Sequence, residues 1–255
     1  MIDIHCHILP RMDDGARSLE ESLEMAQRAV EDGIQEMVAT PHSLNGVYTH
    51  RVEDIMPAVK ALQEALSENH LALKLHPGSD VHLATHMVQR IESREACTIN
   101  NAGKFILLEL PSQMIPDGVK DEIFALKLNG VTPIITHPER NAVIQHDPNV
   151  LYELIQMGAL AQVTAMSLTG EFGEFIARTS EILVRHRLIH VIATDAHSAQ
   201  DRPPVLSGAV LKAADILKNY DEALDMATAI PAAILSGRAP DVPEPIQVRR
   251  MSRAF

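Results

Sequence analysis

The sequence contains no tryptophan, three tyrosines and five phenylalanines, so aromatics make up only 3% of its 255 residues. A core drawn from the 46% of hydrophobic residues must therefore be built from Leu, Ile, Val, Ala and Met. There are two cysteines, Cys6 and Cys97. Two thiols make no disulfide framework, which favours a reducing compartment. Basic residues are few: 22 Lys and Arg stand against 34 Asp and Glu, a net charge of −12. That excludes the basic surface expected of a nucleic-acid-binding protein. Bound divalent cations would offset part of the acidity. No basic segment followed by an apolar run opens the chain, so no signal peptide is read. No apolar stretch reaches the length of a transmembrane segment. The expected location is cytoplasmic.

Several catalytic signatures are also missing. There is no GxSxG elbow and no P-loop. A cysteine phosphatase needs five residues between its thiolate and its arginine; Cys6 and Arg11 have four between them, and no arginine closely follows Cys97. Both cysteines read as inert packed thiols.

Histidine is abundant, with 13 residues. The opening stretch MIDIHCHILPRMDDG places His5 and His7 two apart. On a strand they share a face. Asp13 and Asp14 follow at once. Seven strands are expected, near residues 2–7, 37–40, 71–75, 105–110, 131–136, 161–165 and 188–194, alternating with helices. This alternation indicates an α/β fold with a parallel sheet. His42, Asp80, Glu109, His137, Asp195 and His197 all fall at or just beyond the carboxyl ends of strands. Nearly every strand contributes, which favours a closed or nearly closed seven-stranded TIM-like barrel with its active face at those ends. One domain over residues 1–238 is expected. Residues 239–255 form a proline-containing basic tail, with Arg249, Arg250 and Arg253. Such a tail reads as an extended mobile segment, with weak membrane or partner contact as the alternative.

The candidate metal ligands are His5, His7, Asp14, His42, Asp80, Glu109, His137, Asp195 and His197, with Asp13 as a spare. Nine ligands exceed what one ion takes and suit two or three. Imidazole and carboxylate without thiolate favour Mn, Fe or Zn over Mg or Ca. Asp3 shares the parity of His5 and His7, and is read either as orienting a ligand imidazole or as a buried, satisfied carboxylate. Arg140 and Arg202 follow His137 and His197 closely. A guanidinium there can grip two oxygens of a phosphate.

The segments MIDIHCHILP, DDGA, ATPH, NGVY, THPERN and ATDAH resemble the PHP (polymerase and histidinol phosphatase) superfamily. More closely, they resemble the bacterial manganese-dependent tyrosine phosphatases of the CpsB/YwqE type. The resemblance covers nearly the whole chain. It implies a distorted seven-stranded barrel, (β/α)7, and hydrolysis of phosphotyrosine by a metal-activated water. The implied substrate is a bacterial tyrosine kinase regulating capsule or exopolysaccharide synthesis. The implied cofactor is Mn2+, two or three ions per chain, with Fe or Zn as alternatives. It places His5, His7, Glu109 and Asp195 on one ion, Glu109, Asp80 and His137 on a second, and Asp14, His42 and His197 on a third. Arg140 and Arg202 match the phosphate-binding arginines. Asp80 stands where the family usually has Glu, Ser43 where a second His is common, and residues 164–167 where small Ser and Gly are usual. The alternatives are a small-metabolite phosphatase, such as one for histidinol phosphate, and a non-catalytic, metal-stapled kinase-binding protein.

Overall fold

A computed structural model of the chain describes residues 1–249. Short parallel strands alternate with helices. The first half runs β1 (Ile2–Cys6), α1 (Leu19–Glu31), β2 (Glu36–Ala39), β3 (His42–Ser43), α2 (Val52–Glu68), β4 (Lys74–Pro77), β5 (Asp80–His82), α3 (Met87–Glu92), β6 (Phe105–Glu109) and α4 (Val119–Leu128). The second half runs β7 (Thr132–Thr136), α5 (Ala142–His146), α6 (Asn149–Gln156), β8 (Leu160–Thr164), α7 (Ala165–Thr169), α8 (Glu174–Arg185), β9 (Val191–Ala193), α9 (Ser207–Leu217), α10 (Tyr220–Asp225) and α11 (Ala229–Leu235).

The expected seven strands appear as nine among the described residues, because two of the expected strand lines are interrupted. Pro41 has no N–H to donate, and it separates β2 from β3. Gly78 and Ser79 separate β4 from β5. Pairing still runs across both gaps, with Gly78 N donating to Ala39 O at 3.0 Å and Asp80 N to Pro41 O at 3.2 Å. The result is two parallel sheets, ordered β1-β2-β4 and β3-β5-β6-β7-β8-β9. The chain's first strand also meets the segment after its last. Asp195 N donates to His5 O at 2.8 Å, and His7 N to Ala196 O at 2.9 Å.

Strand parity divides the core and builds the site. Met37, Ile106, Leu108, Ile135, Ala161, Val163 and Ile192 join the large cluster beneath the helices. Their neighbours Val38, Leu107, Ile134, Leu160 and Val191 form a smaller cluster with Ile230, Ile234 and Leu235 from α11. Followed toward the carboxyl ends, that second parity turns polar: Leu107 leads to Glu109, Ile134 to Thr136, and Leu160 to Gln162 and Thr164.

Of the two readings of Asp3, the structure has the buried, satisfied carboxylate. It touches no imidazole; its carboxyl accepts from Thr194 N, the Thr194 hydroxyl and His5 N. It therefore ties β1 to the end of the last strand. Burial pushes its pKa up to about 7 against those hydrogen bonds.

The start of the C-terminal tail is anchored along its course. Ile246 N donates to His186 O at 2.8 Å, and Val248 exchanges two 3.0 Å hydrogen bonds with the Asn149 amide. Arg250, Met251, Arg253 and Phe255 lie outside the described residues.

His190, just before β9, is buried, and its Nδ1 accepts from Ala161 N at 3.0 Å. Burial lowers its pKa to about 4. Above pH ~6.5 the imidazole is neutral in both folded and unfolded chain. Between that pH and about 4, only the unfolded chain takes up the proton. Folding stability should therefore fall by about 3 kcal/mol across that window. Denaturant titrations at stepped pH check this; His190→Gln, whose amide oxygen can accept from Ala161, should remove that share of the acid sensitivity.

Candidate active site

β1 delivers His5 and carries His7 just past its end. The His5 Nδ1–H donates to Gln162 Oε1 at 3.0 Å, and the His7 Nδ1–H to Asp13 Oδ2 at 2.6 Å. Each Nδ1 is thus occupied, and the two Nε2 atoms converge to 3.2 Å. His197 follows the same rule, with its Nδ1–H donating to the Asp195 carbonyl at 2.9 Å. Its Nε2 lies 3.6 Å from Asp14 Oδ1. Gly15 lets the Asp13–Asp14 loop close on His7, since a Cβ there would stand 2.1 Å from His7 O.

Carboxylates face these nitrogens. Asp80 Oδ2 lies 3.6 Å from His5 Nε2, 3.4 Å from His42 Nδ1 and 3.9 Å from His137 Nε2. The two Glu109 oxygens each lie 3.8 Å from an imidazole, of His42 and of His137. Asp195 Oδ1 is 3.4 Å from both His5 Nε2 and His7 Nε2. Its other oxygen takes Arg140 Nη1 at 2.8 Å and Arg202 Nη2 at 2.6 Å. His137 and Asp195 hold left-handed backbone, φ 35° and 50°. Non-glycine residues adopt it at a cost of order 1–3 kcal/mol, a strain common where side chains are aimed for function.

The electrostatics follow from this crowding. Burial works to raise Asp80 and Asp195, but the surrounding histidines, and for Asp195 the two arginines, hold both carboxyls well below the usual range. Burial pulls His7 down, yet Asp13 and Asp195 overcome it and raise it to about 10. Burial and the neighbouring His7 bring His197 down to about 2.

Three ligand clusters stand out among the described residues: His7, Asp14, His42 and His197; His5, His7 and Asp80; and His42, Asp80 and Glu109. Within each, the ligand atoms lie within 4.8 Å of one another. The clusters hold seven of the nine residues proposed from the sequence; His137 and Asp195 fall outside them but adjoin them, His137 beside Asp80 and Glu109 and Asp195 beside His5 and His7. The grouping differs in detail: His7 joins the expected Asp14, His42 and His197, and Asp80 rather than Glu109 sits with His5 and His7. The donor set fits divalent ions on a further observation. His42 Nδ1 and Asp80 Oδ2 are buried and face each other, yet neither makes a hydrogen bond. A cation is the partner that a ring of convergent lone pairs and carboxylates lacks. Beside the clusters lies a cavity of about 250 Å³, lined by Asp14, His42, Glu109, His137, Arg140 and Arg202 among others.

Other residues of the site were less visible in the sequence. Asp13, only a spare candidate, is buried and orients His7 while also accepting from His42 N at 2.9 Å. Gln162 orients His5. His82 Nδ1 lies 3.4 Å from Glu109. Tyr48 stacks on His42, ring centroids 6.1 Å apart. Glu139 is fully buried and accepts from Ser167 Oγ at 2.6 Å and Thr164 N at 3.2 Å. Asp13 carried a signal as a spare ligand, and Gln162 only as a polar residue inside an expected strand.

Known proteins share this arrangement of fold and sequence. Residues 1–233 match the family described as capsular polysaccharide synthesis, CpsB/CapC. The tyrosine-protein phosphatase YwqE of Bacillus subtilis (strain 168) is 40% identical over 202 residues, covering 79% of each chain. The putative tyrosine-protein phosphatase CapC of Staphylococcus aureus is 37% identical over 206 residues, 81% of this chain and 80% of that one. A chain from the crystal structures of YwqE from Bacillus subtilis and CpsB from Streptococcus pneumoniae, described as unique metal-dependent tyrosine phosphatases, superposes with a TM-score of 0.93. It is 35% identical and covers 98% of this chain and 100% of its own. With a family match over most of its length and relatives at this identity, the chain belongs to the CpsB/CapC family of capsular polysaccharide synthesis.

Proposed function

We propose that this chain is a metal-dependent protein-tyrosine phosphatase that hydrolyses phosphotyrosine on a bacterial tyrosine kinase controlling capsule or exopolysaccharide synthesis. The observation that carries the reading is the double attachment of Asp195. One of its oxygens faces His5 and His7, and the other holds Arg140 and Arg202. A single carboxylate so joins a set of metal-type ligands to a pair of phosphate-type cations.

His5, His7, Asp14, His42, Asp80, Glu109, His137, Asp195 and His197 would hold two or three ions, Mn2+ by family resemblance, with Fe or Zn chemically acceptable. When bound, such ions supply Lewis acidity and make water a competent nucleophile near neutral pH. Asp13 and Gln162 fix the tautomers of His7 and His5, so that each presents an Nε2 lone pair. Arg140 and Arg202 line the cavity and hold the phosphoryl oxygens through planar forks. The phenolate leaving group, with a parent pKa of about 10, needs less protonation than an alkoxide. The likeness of catalytic relatives favours this reading over a non-catalytic, metal-stapled protein.

Finer structural readings accompany it. Counting β2 with β3 and β4 with β5, the strands form a distorted seven-stranded barrel closed between β1 and β9. Residues 1–238 are the phosphatase domain and 239–255 a tail. No helix among the described residues is long and apolar enough to cross a membrane; we place the protein in the cytoplasm.

The test is an assay with p-nitrophenyl phosphate, a phosphotyrosine peptide and histidinol phosphate, before and after chelation. Chelation should abolish turnover and Mn2+ should restore it, with catalytic efficiency highest on the peptide. Failure of any metal to restore turnover would sink the phosphatase reading; higher efficiency on histidinol phosphate would transfer it to a small metabolite.

A further inference from the structure

Phe172 sits in the turn between α7 and α8, in the segment Gly170-Glu171-Phe172-Gly173. Both glycines hold left-handed backbone, φ 99° and 96°, which glycine adopts without the Cβ clash other residues meet. The turn is pinned at several points. Gly170 N and Glu171 N both donate to Met166 O at 3.1 Å, and Gly173 N to Gly170 O at 2.9 Å. The Thr169 hydroxyl donates to the Glu171 carboxylate. The ring is therefore presented in one place.

In that place it meets two cations. The Arg140 guanidinium lies 4.5 Å from the ring centroid, and that of Arg202 5.7 Å. Both fall within the reach of about 6 Å over which a ring face attracts a cation. The two arginines line the cavity, whereas Phe172 is not among its lining residues. The ring thus lies against the guanidiniums and outside the cavity lining.

The guanidiniums are also incompletely used. Arg140 Nε and Nη2 and Arg202 Nε are buried without a hydrogen-bond partner. Each guanidinium spends one Nη on Asp195. Asp195 draws one Nη of each toward a single oxygen, but the two like charges repel and one anchored nitrogen leaves each planar group free to turn. A shared aromatic face limits that turning without consuming a donor, because the attraction is to the π-cloud.

We infer that Phe172 is a positioning residue that holds Arg140 and Arg202 together as one pre-formed receptor for the phosphoryl group. This rests on the phosphatase reading above. The receptor takes a tetrahedral oxyanion, and its unfilled donors belong to the arginines alone. Loss of the ring leaves Asp195 as the shared anchor and lets both guanidinium planes turn, so anion affinity falls while the metal ligands stay as they are.

The test uses the metal-loaded full chain as wild type, Phe172→Leu and Phe172→Tyr. Binding of inorganic phosphate is measured by titration calorimetry, metal content by mass spectrometry, and kcat and KM with p-nitrophenyl phosphate. Phe172→Leu should weaken phosphate binding by about three- to tenfold and raise KM by a similar factor, as expected for loss of a cation–π pair. Its metal content should match wild type. Phe172→Tyr keeps the π-face and should bind phosphate within about twofold of wild type. In an Arg140→Ala background the Phe172→Leu effect should shrink, because the ring acts through that arginine. Phosphate affinity unchanged in Phe172→Leu, or a tyrosine variant as weak as the leucine one, overturns the inference alone. A metal-loaded wild type that neither binds phosphate nor hydrolyses the ester overturns the phosphatase reading, and this inference with it.

Discussion

Asp195→Ala should lower turnover of a phosphotyrosine peptide by on the order of a thousandfold or more, the largest single effect expected in this molecule. Among the described residues, no other side chain touches so many of the groups assigned to the chemistry. Its Oδ1 stands 3.4 Å from the Nε2 atoms of His5 and His7, and its Oδ2 accepts from both arginines. Removing it deletes one proposed ligand and leaves two guanidiniums without their shared counter-charge. Asp195→Asn keeps the shape, but its amide NH2 would face donors or imidazole lone pairs, whichever way it turned, so it should rescue little. Metal analysis should show at least one ion fewer per chain in both variants. Circular dichroism should stay native, since the sheets do not depend on this side chain. An Asp195→Asn protein that keeps more than a tenth of wild-type turnover, fully loaded with metal, would show that Asp195 is not the link between the two sets.

The second large effect belongs to the arginines. Arg202→Ala should cost about a hundredfold in kcat/KM, and the double variant with Arg140→Ala still more, because the charge facing the phosphoryl oxygens is lost. Phosphate should inhibit these variants less than wild type. Arg202→Lys should recover only part of the loss, since an ammonium has no planar fork to span two oxygens. Nine proposed ligands remain in these proteins, so metal content should hold near the wild-type value. An Arg202→Ala protein that sheds its metals, or that keeps full turnover and phosphate affinity, would place this arginine outside phosphate binding.

Much of this site was legible before any coordinates, and the reason is geometric. His5 and His7 announce themselves by the strand's period of two. His42, His137, Asp195 and His197 each follow a run of β-formers, so parallel strands alone bring them to one end. Arg140 and Arg202 sit in the loops those ends create. The less legible features depend on contacts through space. The interruptions at Pro41 and at Gly78-Ser79 cut strands short, yet nothing local shows that pairing resumes beyond them. Asp3 could be read as steering an imidazole or as a satisfied carboxylate; it is the second, and its partner is Thr194, 191 positions away, at a seam that local pattern does not reveal. Gln162 lies in LAQVT, a strand buried along its whole length, where one polar residue gives no hint of the ring it meets. Phe172 reads as an ordinary turn residue, because its two arginines come from other loops.

The seam between β1 and residues 194–196 sets the order in which the protein can acquire its function. β1 is made long before its partner in this seam: His5 O and His7 N have nothing to pair with until Asp195 and Ala196 have been made. Closing so long a loop is entropically slow, and it gives nothing back until the final strand docks. The nascent chain must meanwhile carry an unpaired edge that invites misassociation. His5 and His7 lie on one side of the seam, with Asp195 and His197 on the other. Whatever binds all four is bound only by the closed chain, so its binding free energy adds directly to native stability. A ligand that binds only after the folding barrier slows opening and leaves the rate of closure unchanged. The same residues that would perform hydrolysis would then also act as a clasp on the closed chain.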